Sequence, residues 1–489
     1  MAAIKGADYL KRLKENPPET WMGDEKILDP TSHPLVAPPA KSIAKLYDLQ
    51  WDEDRKNYML YTDSITGKLN GTQYLVPKSK EDLKKRRLMH QAWAEASYGF
   101  MGRSTDFMSA MLLGWYANAE FFDDYADNVR DYFDYIREKD LYLTHVLINP
   151  QVDRSQPPSK QPDEFTYLGV VRETEEGIIV RGAKMMATAG PYADEVLVFP
   201  FANQKVNAED YKYAISFAVP MSTPGLRVIA RESYVRDSKI DHPLASQFDE
   251  LDGILVFDDV LVPWNRVFIY QDPAKVNQVL NYTSLYTGHQ STIRLMTKLQ
   301  FVAGLAMKAT EVINTNVFPQ VQDLMGELTT YIELCRASII ASEENAQPNE
   351  LGIYIPDFRP LSAIRNSGNR WYPRSREILQ LILAGGLMYQ PSSLSVFDSP
   401  IKEDIEKYFR GANISAKEKI QIYKIASELA VSGFGSRHEL YERYYAGDPL
   451  FLRINSQYKN YDKTKCLSLI EGLLNEINLE DTKVLENKL

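Results

Sequence analysis

The sequence predicts an α+β protein in which a β-rich middle domain lies between two helical domains. In residues 80–138, apolar side chains recur at steps of three and four, as on the buried face of a helix. In residues 143–268 the pattern changes to short runs rich in Val, Ile, Tyr and Phe, which are typical of strands. From Thr292 onward the helical period returns. This order predicts three domains, which are residues 1–142, 143–268 and 269–489.

The N-terminal domain is expected to begin with an irregular, proline-rich segment and to continue as helices. The helices rest on a series of apolar and aromatic side chains with helical spacing. The series consists of Met111, Leu112, Trp115, Tyr125, Val129, Tyr132 and Ile136.

The middle domain is expected to be rich in strands, which are short and follow one another closely, and this pattern is compatible with a β-barrel held between two α domains. The strand-like runs are residues 167–171, 178–180, 196–199, 213–219 and 254–257. Gly177 lies where the first two runs would form a hairpin. Residues 257–268 are predicted to be a last strand with a turn at Pro263, and no chemistry is assigned to them.

The C-terminal domain is expected to be a helix bundle. Its apolar residues recur with helical spacing, for example at Leu295, Leu299, Val302 and Ala306. Proline residues predict loops between the helices, near Pro348, Pro356, Pro360 and Pro400.

Composition excludes several classes of function. The 66 acidic residues outnumber the 56 basic ones and form no long block of one sign, so a nucleic-acid partner is not expected. The only cysteines are Cys335 and Cys466, which cannot form a disulfide framework or a cysteine-rich metal site. No signal peptide and no long apolar run is present, so we expect a cytoplasmic protein without a metal or a membrane segment.

The common cofactor and hydrolase motifs are also missing. The sequence has no GxGxxG string, which disfavours a nicotinamide site of the usual dinucleotide fold. It has no P-loop, no HExxH and no GxSxG, which disfavours nucleotide hydrolysis, zinc proteolysis and serine hydrolysis. Any cofactor must therefore bind without a glycine signature.

Four segments resemble the 4-hydroxyphenylacetate 3-hydroxylase family in order and spacing. They are GFMGRSTDFM from Gly99, THVLINPQVDR from Thr144, FDDVLVPWNRVF from Phe257 and SGFGSRHELYERYYAGDP from Ser432. The N-terminal strings ADYLKRLKENPP and DPTSHP are also similar, so the resemblance extends from about residue 7 to about residue 470.

The resemblance implies an acyl-CoA-dehydrogenase-like fold, with an N-terminal α domain, a middle β-barrel domain and a C-terminal four-helix bundle, assembled as a homotetramer. It implies the oxygenase component of a two-component flavin monooxygenase. Reduced FAD would come from a separate NAD(P)H:flavin reductase and react with O₂ to a C4a-hydroperoxyflavin, which would hydroxylate a phenol ortho to its hydroxyl group. The missing nicotinamide motif agrees with this division of labour.

Electrophilic hydroxylation requires a phenol that is drawn towards phenolate, so the site needs a cation or an imidazole near the phenol oxygen. By resemblance, Arg103 lies near substrate and flavin, and His145 hydrogen-bonds the phenol hydroxyl. His289, expected just before the first C-terminal helix, is an alternative proton acceptor.

The resemblance also implies a set of flavin-binding residues. Side-chain amides and hydroxyls suit the polar edge of the flavin ring, an arginine suits its pyrophosphate, and a glycine turn allows close backbone approach. The implied residues are His145, Val146, Leu147, Gln151, Arg154, Thr188, Gly447, Asp448 and Pro449.

Two departures from the family pattern predict a less polar substrate pocket. Phe107 stands where typical members have Tyr, and Phe201 and Ala202 stand where small hydroxyl residues are common in a substrate loop. We therefore expect the substrate to be 4-hydroxyphenylacetate-like or a less polar phenol, with the latter preferred.

Three alternatives compete with this interpretation. A 4-hydroxybutyryl-CoA dehydratase-like lyase would need three cysteines for its iron–sulfur cluster, and the sequence has no cysteine at those places. An acyl-CoA-dehydrogenase-like flavoenzyme would carry other motifs than these four segments. A non-catalytic protein on an enzyme fold is disfavoured because both Arg103 and His145 are present.

Overall fold

The computed structural model describes residues 3–64, 66–200 and 205–477. Helices dominate both ends of the chain and strands dominate its middle, so the expected fold class is confirmed. The helices are α1 (Gly6–Glu15), α2 (Ala37–Leu49), α3 (Lys56–Met59), α4 (Lys80–Ala96), α5 (Thr105–Tyr116), α6 (Ala126–Lys139), α7 (Ala245–Phe248), α8 (Pro273–Val276), α9 (Leu280–Glu311), α10 (Pro319–Glu344), α11 (Phe358–Leu383), α12 (Lys402–Tyr408), α13 (Ala416–Val431), α14 (Gly433–Tyr444), α15 (Pro449–Phe451) and α16 (Thr464–Glu476). The strands are β1 (Thr20–Met22), β2 (Glu25–Ile27), β3 (Leu60–Thr62), β4 (Leu69–Gly71), β5 (Leu143–Val146), β6 (Gly169–Glu173), β7 (Gly177–Met185), β8 (Glu195–Val198), β9 (Ser216–Pro220), β10 (Leu226–Ala230), β11 (Gly253–Pro263), β12 (Val267–Ile269), β13 (Gln347–Pro348) and β14 (Tyr354–Ile355).

The N-terminal segment is more regular than predicted. Helices α1 and α2 and strands β1 and β2 occupy the stretch that was expected to be irregular. Pro38 and Pro39 do not prevent α2, because they lie in its first turn, where a missing N–H group costs no hydrogen bond. The prediction was wrong here because it treated the prolines as breakers rather than as helix starters.

The strands of the middle block form two sheets. The larger sheet has the order β2-β1-β10-β11-β7-β6, and the smaller has the order β12-β9-β8-β5. The predicted hairpin is present, with β6 and β7 antiparallel. Within the described residues neither sheet closes on itself, so the expected barrel is instead a pair of open sheets, of which the larger gains β1 by its parallel pairing with β10.

Strand β5 positions His145 at the edge of the smaller sheet. It pairs with β8 in parallel, so that His145 lies opposite Leu197. Alternation along the strand sends neighbouring side chains to opposite faces, and Val146 accordingly belongs to the hydrophobic core. His145 therefore faces away from that core, towards α5.

Helix α9 begins earlier than the sequence predicts. Its first residue is Leu280 rather than a residue near Thr292, so His289 lies inside the helix and not before it. Residues 280–291 lack an apolar period because many of their buried side chains are polar. Thr283 and Thr287 donate hydrogen bonds to carbonyl groups one turn earlier, which satisfies their buried hydroxyls.

The helices α9, α10, α11, α13 and α14 pack against one another and carry the largest hydrophobic core together with the larger sheet. A second core lies between α5, α6 and the smaller sheet. Among the helices of the described residues, none is both long and apolar enough to span a lipid bilayer.

Candidate active site

Four parts of the fold meet around the side chain of Arg103. Phe107 lies on the first turn of α5, with its ring 5.7 Å from that of His145 on β5. Phe199 follows β8, and its ring stacks 6.2 Å from that of His145. Tyr445 follows α14, and its ring lies 5.6 Å from that of Phe107. The result is a buried aromatic cluster with one cation and one imidazole.

The backbone of Arg103 is fixed from two sides. Its N–H group donates to the Glu250 carboxylate at 2.6 Å, and its carbonyl accepts from the Tyr142 hydroxyl at 2.7 Å. These bonds hold the chain where it enters α5. The direction in which the side chain leaves the backbone is thereby set.

The guanidinium of Arg103 lies among aromatic rings rather than beside an acid. Its central carbon is 4.1 Å from the ring centre of Phe107, 4.7 Å from that of Tyr445 and 5.4 Å from that of Tyr441. Within the described chain it has no carboxylate partner, and its buried Nε atom donates to no protein group. A buried cation in this state is suited to an anionic ligand.

Asp106, three residues after Arg103, does not neutralise it. Its carboxylate instead receives Nδ1 of His90 at 2.7 Å and the amide of Gln290 at 3.2 Å. Burial lowers the pKa of His90 to about 4, so its ring is neutral at physiological pH. The carboxylate of Asp106 is thus bonded to His90 and Gln290 and not to Arg103.

His145 is buried and has an unused ring nitrogen. Its Nδ1 atom has no hydrogen-bond partner among the described residues. Burial, and then the positive charge of Arg103, lower the pKa of His145 well below 6.5. The imidazole is therefore neutral at physiological pH and can take part in a hydrogen bond to a ligand hydroxyl.

Tyr441 is a site residue that the sequence interpretation missed. Its hydroxyl is buried and has no hydrogen-bond partner in the described part of the chain, and a Cβ atom on Gly102 would lie only 2.4 Å from it. Gly102 therefore leaves space that Tyr441 fills. The residue lies in the SGFGSRHELYERYYAGDP segment, where only the last three residues were considered, although Tyr441 and Tyr445 share one helical face. Arg103, His145 and Tyr441 are called the open cluster below.

His289 lies in a different environment from the open cluster. Its Nε2 atom is 2.9 Å from a Glu343 carboxylate oxygen, and Glu343 also receives Arg87 at 2.9 Å. His289 and Glu343 are both buried. Because this imidazole already has a carboxylate partner, it is less available than His145 to a phenol.

The segment after β5 contributes the first group of expected flavin residues. Leu147 is half-buried, whereas the side chains of Gln151 and Arg154 are exposed and free to turn towards a ligand. The side chain of Val146 packs in the core, so any flavin contact of this residue would come from its backbone.

Thr188 and the 447–449 turn contribute the second group. The Thr188 hydroxyl donates to Asp252 at 2.8 Å, and its carbonyl accepts from Thr144, the neighbour of His145, at 2.7 Å. Gly447 has a φ of 117°, which only glycine adopts easily. The Asp448 side chain caps the short helix α15 by accepting from the N–H group of Phe451, so the turn has a defined shape.

Lys184 adds a cation beside the first group. Its buried ammonium donates to Asn149 Oδ1 at 2.7 Å and contacts the Leu147 carbonyl at 3.3 Å, and no carboxylate within the described residues pairs with it. Burial lowers the pKa of Lys184 to about 7. A lysine whose pKa lies near neutrality and that has no carboxylate partner is favoured in its charged form when an anionic group binds beside it, so this position suits an anionic ligand.

Phe201 and Ala202, expected in a substrate loop, lie outside the described residues. Of the other expected residues, Phe107 contacts both Arg103 and His145, and the carbonyl of Thr188 accepts a hydrogen bond from Thr144, the neighbour of His145. Within the 447–449 turn, Asp448 caps helix α15. His289 and the exposed Gln151 and Arg154 stand apart from this cluster.

Family models and curated relatives match this chain and point to the same family. The family model described as 4-hydroxyphenylacetate 3-hydroxylase N terminal matches residues 5–269, and the one described as C terminal matches residues 276–475. The 4-hydroxyphenylacetate 3-monooxygenase oxygenase component of Thermus thermophilus is 42% identical, over 97% of this chain and 98% of that protein. The 4-nitrophenol 2-monooxygenase oxygenase component of a Rhodococcus species is 32% identical, over 93% of this chain and 88% of its own length.

Solved structures agree with the sequence matches. A crystal structure of the oxygenase component of 4-hydroxyphenylacetate 3-monooxygenase, complexed with FAD and 4-hydroxyphenylacetate, superposes with a TM-score of 0.93. It is 41% identical and covers 99% of this chain and all of that one. An archaeal 4-hydroxybutyryl-CoA dehydratase from N. maritimus, at 21% identity and a TM-score of 0.86 over 97% of this chain and 96% of its own, shares the fold.

Proposed function

The chain belongs to the 4-hydroxyphenylacetate 3-hydroxylase family, and from that premise we propose that it is the oxygenase component of a two-component flavin monooxygenase. It hydroxylates a phenol ortho to the hydroxyl group, using O₂ and reduced FAD from a separate NAD(P)H:flavin reductase. The observation that carries the proposal is the open cluster, where a cation and a neutral imidazole lie among aromatic rings with unused hydrogen-bonding atoms.

Arg103 stabilises the phenolate form of the substrate. Negative charge on the phenol oxygen enriches the ring in electrons, which an electrophilic oxygen transfer requires. Among the described residues the guanidinium has no carboxylate that would compete with the phenolate, and the surrounding rings exclude water, which strengthens the attraction.

His145 accepts the phenol proton. Because the imidazole is neutral, it can hydrogen-bond the hydroxyl group and hold the proton while the ring is attacked. The charge of Arg103 lowers the basicity of His145, which opposes the proton transfer. The same charge stabilises the phenolate and so raises the acidity of the phenol, which favours the transfer. His289 is kept as a second acceptor of lower rank, since Glu343 already holds it.

FAD, when bound in its reduced form, supplies the electrons that activate O₂ for transfer to the ring. The residues that would hold it are those of the 145–154 segment, Thr188 and the 447–449 turn. Their polar side chains and the glycine backbone suit the ring edge and the phosphates. In detail they are His145, Val146, Leu147, Gln151, Arg154, Thr188, Gly447, Asp448 and Pro449.

The preferred substrate is a phenol that is less polar than 4-hydroxyphenylacetate. Phe107 places an apolar ring against both Arg103 and His145, where a tyrosine would add a hydroxyl. Phe201 and Ala202, which lie outside the described residues, are proposed as further substrate-binding residues from the family resemblance alone. The Rhodococcus relative is named for 4-nitrophenol, which suits a family whose members differ in their phenol.

The wider organisation is proposed from the same premise. The domains are residues 1–142, 143–268 and 269–489, and the assembly is a homotetramer. Helix α16 supports an assembly, because it exposes a row of large apolar side chains that a monomer would leave in water. The low cysteine content supports a cytoplasmic location.

Two other reactions on this fold are weaker candidates. A 4-hydroxybutyryl-CoA dehydratase-like lyase needs thiolate ligands, but Cys335 is buried on α10 and Cys466 is exposed on α16. An acyl-CoA-dehydrogenase-like oxidation needs a carboxylate base, whereas the polar atoms left open here belong to Arg, His and Tyr. Iron analysis and an acyl-CoA oxidation assay test both.

The proposed function is tested by incubating the protein with a panel of phenols, O₂ and reduced FAD made by an unrelated flavin reductase. We expect an ortho-diphenol product that depends on O₂, and no turnover with NADH when the reductase is omitted. Reduced FAD should bind more tightly than oxidised FAD. Reduction of bound flavin by NADH without a reductase would contradict the two-component assignment.

A further inference from the structure

We propose that Arg437 is a positioning residue that joins the substrate side of the active site to its flavin side. The inference rests on the proposed function, because it concerns the relative placement of Arg103 and Thr188. Arg437 lies on α14, four residues before Tyr441, and its side chain is buried.

On the flavin side, Arg437 binds the carboxylate that holds Thr188. Its Nε and a terminal nitrogen donate to the two oxygens of Asp252 at 2.9 and 2.6 Å. The Asp252 oxygen at 2.6 Å from Arg437 also accepts from the Thr188 hydroxyl at 2.8 Å. Thr188 is thereby tied to α14 through a single carboxylate.

On the substrate side, Arg437 contacts the residue that holds Arg103. It lies 3.5 Å from one Glu250 carboxylate oxygen and donates to the Glu250 backbone carbonyl at 3.1 Å. The other carboxylate oxygen of Glu250 accepts from the backbone N–H group of Arg103 at 2.6 Å. A single guanidinium therefore sets the position of two carboxylates that each hold one side of the site.

The arrangement needs an arginine. Five N–H groups in one plane can reach Asp252, Glu250 and a backbone carbonyl together, whereas a lysine ammonium lacks this fork. The ring of Tyr441 lies 4.3 Å from the guanidinium carbon and covers it, which limits its movement. Arg231 also binds Asp252, at 2.9 Å, but it reaches Glu250 only at the backbone carbonyl, at 3.5 Å, and its other carboxylate partner is Asp249.

A loss of this link should separate flavin oxidation from hydroxylation. When the phenol ring is misplaced relative to the flavin, oxygen that is not transferred leaves as hydrogen peroxide, because two electrons and two protons from reduced flavin convert O₂ to H₂O₂. Small displacements have large effects on such transfers. The fraction of oxidised flavin that yields product is therefore the readout that a purely structural role would not move.

The test compares three variants of the full-length protein with reduced FAD from an unrelated reductase. Arg437→Lys keeps the charge and removes the fork, while Glu250→Gln keeps an oxygen for the Arg103 N–H group and weakens the contact with Arg437. Arg376→Lys is the matched control. It alters a buried arginine that contacts the same helix at Glu439 and bonds the carbonyls of Leu429 and Ala430, away from the open cluster.

We expect Arg437→Lys and Glu250→Gln to lower the product formed per flavin oxidised by about fivefold or more, with a matching rise in hydrogen peroxide. Arg376→Lys should keep the wild-type ratio. Melting temperatures and flavin binding measured on all variants show whether each is folded. Wild-type ratios in both folded variants would overturn the inference, as would an equal drop in the control. If the wild type itself hydroxylated no phenol, the proposed function would fail instead.

Discussion

Two neighbouring regions of this molecule differ in whether their buried cations have a carboxylate partner among the described residues. In the open cluster, Arg103 Nε, His145 Nδ1 and the Tyr441 hydroxyl have no partner within the described residues. Behind it lies a paired network, which consists of Arg294, Lys298, Glu442, Arg437 and Asp252. There Glu442 receives Arg294 at 2.7 and 2.8 Å and Lys298 at 2.9 Å, so both cations have a carboxylate partner although Arg294 Nε is left without one within the described residues.

The difference distinguishes a framework from a binding site. Buried polar groups cost free energy unless they are bonded, so a protein that pairs the charges of one region and leaves an adjacent region open must gain the missing bonds elsewhere. A ligand supplies them. The paired network keeps its charges even inside the core, since Arg294 and Lys298 hold the pKa of Glu442 at about 2 although burial alone would raise it.

The largest expected effect is on stability and concerns the paired network. Glu442→Gln leaves the buried charges of Arg294 and Lys298 without their carboxylate, which should lower the free energy of unfolding by about 3 to 5 kcal/mol. Urea denaturation of the apoprotein measures it. Glu333→Gln is the control, since it breaks an exposed pair with Arg336 and should cost less than about 1 kcal/mol. Equal losses in both variants would remove the contrast between the two regions.

Substitutions in the open cluster should instead reduce activity. Arg103→Ala and His145→Ala should each lower kcat/KM for a phenol by about 100-fold or more, because each stabilises charge or accepts a proton in the transition state. The melting temperature should change little, since neither group pairs with a carboxylate among the residues that the structure describes. Steady-state assays with reduced FAD check this. A folded variant with normal turnover would return its residue to a structural role.

A hydroxyl added to the open cluster should change specificity. Phe107→Tyr places a phenol group beside Arg103 and His145, so it should shift the kcat/KM ratio of 4-hydroxyphenylacetate to a neutral alkyl- or halophenol, by about 1 to 3 kcal/mol in favour of the former. Ratios for the wild type and the variant give the answer. A wild-type preference for 4-hydroxyphenylacetate that the tyrosine leaves unchanged would contradict an apolar pocket.

The pH dependence should be the smallest effect near neutrality. Burial, then Arg103, lower the pKa of His145 in the folded protein, so its proton-accepting form persists as the pH falls through 6.5 and is lost only at lower pH. The acid limb of kcat/KM should therefore lie below pH 6.5. Arg103→Ala should move it upward, but only partly, because burial is the larger cause. An acid limb at or above 6.5 in the wild type would argue against His145 as the acceptor.

Sequence patterns were most reliable for local features. Helical spacing predicted α4 to α6, and the runs around Gly177 predicted the β6–β7 hairpin, since both depend on neighbouring residues. The predicted start of α9 was wrong, because residues 280–291 are held in a helix by buried polar contacts rather than by an apolar stripe.

The site was only partly accessible from sequence. Arg103 and His145 came from resemblance to a family, and their burial side by side could not be read from spacing. The residues that position them were missed, because Glu250 lies 147 positions from Arg103 in sequence and Arg437 lies 185 positions from Asp252. Contacts of that range arise from tertiary packing and leave no local pattern.

The central claim, that Arg103 draws a bound phenol towards phenolate, is most directly tested with a phenol whose ionised form absorbs visible light, such as 4-nitrophenol. Its absorbance is titrated against pH, free and bound to excess protein. We expect binding to the wild type to lower the pKa of the phenol, because the phenolate gains a cation in a dry site, and Arg103→Ala to abolish the shift. A phenol that binds the wild type with an unchanged or raised pKa would contradict the account.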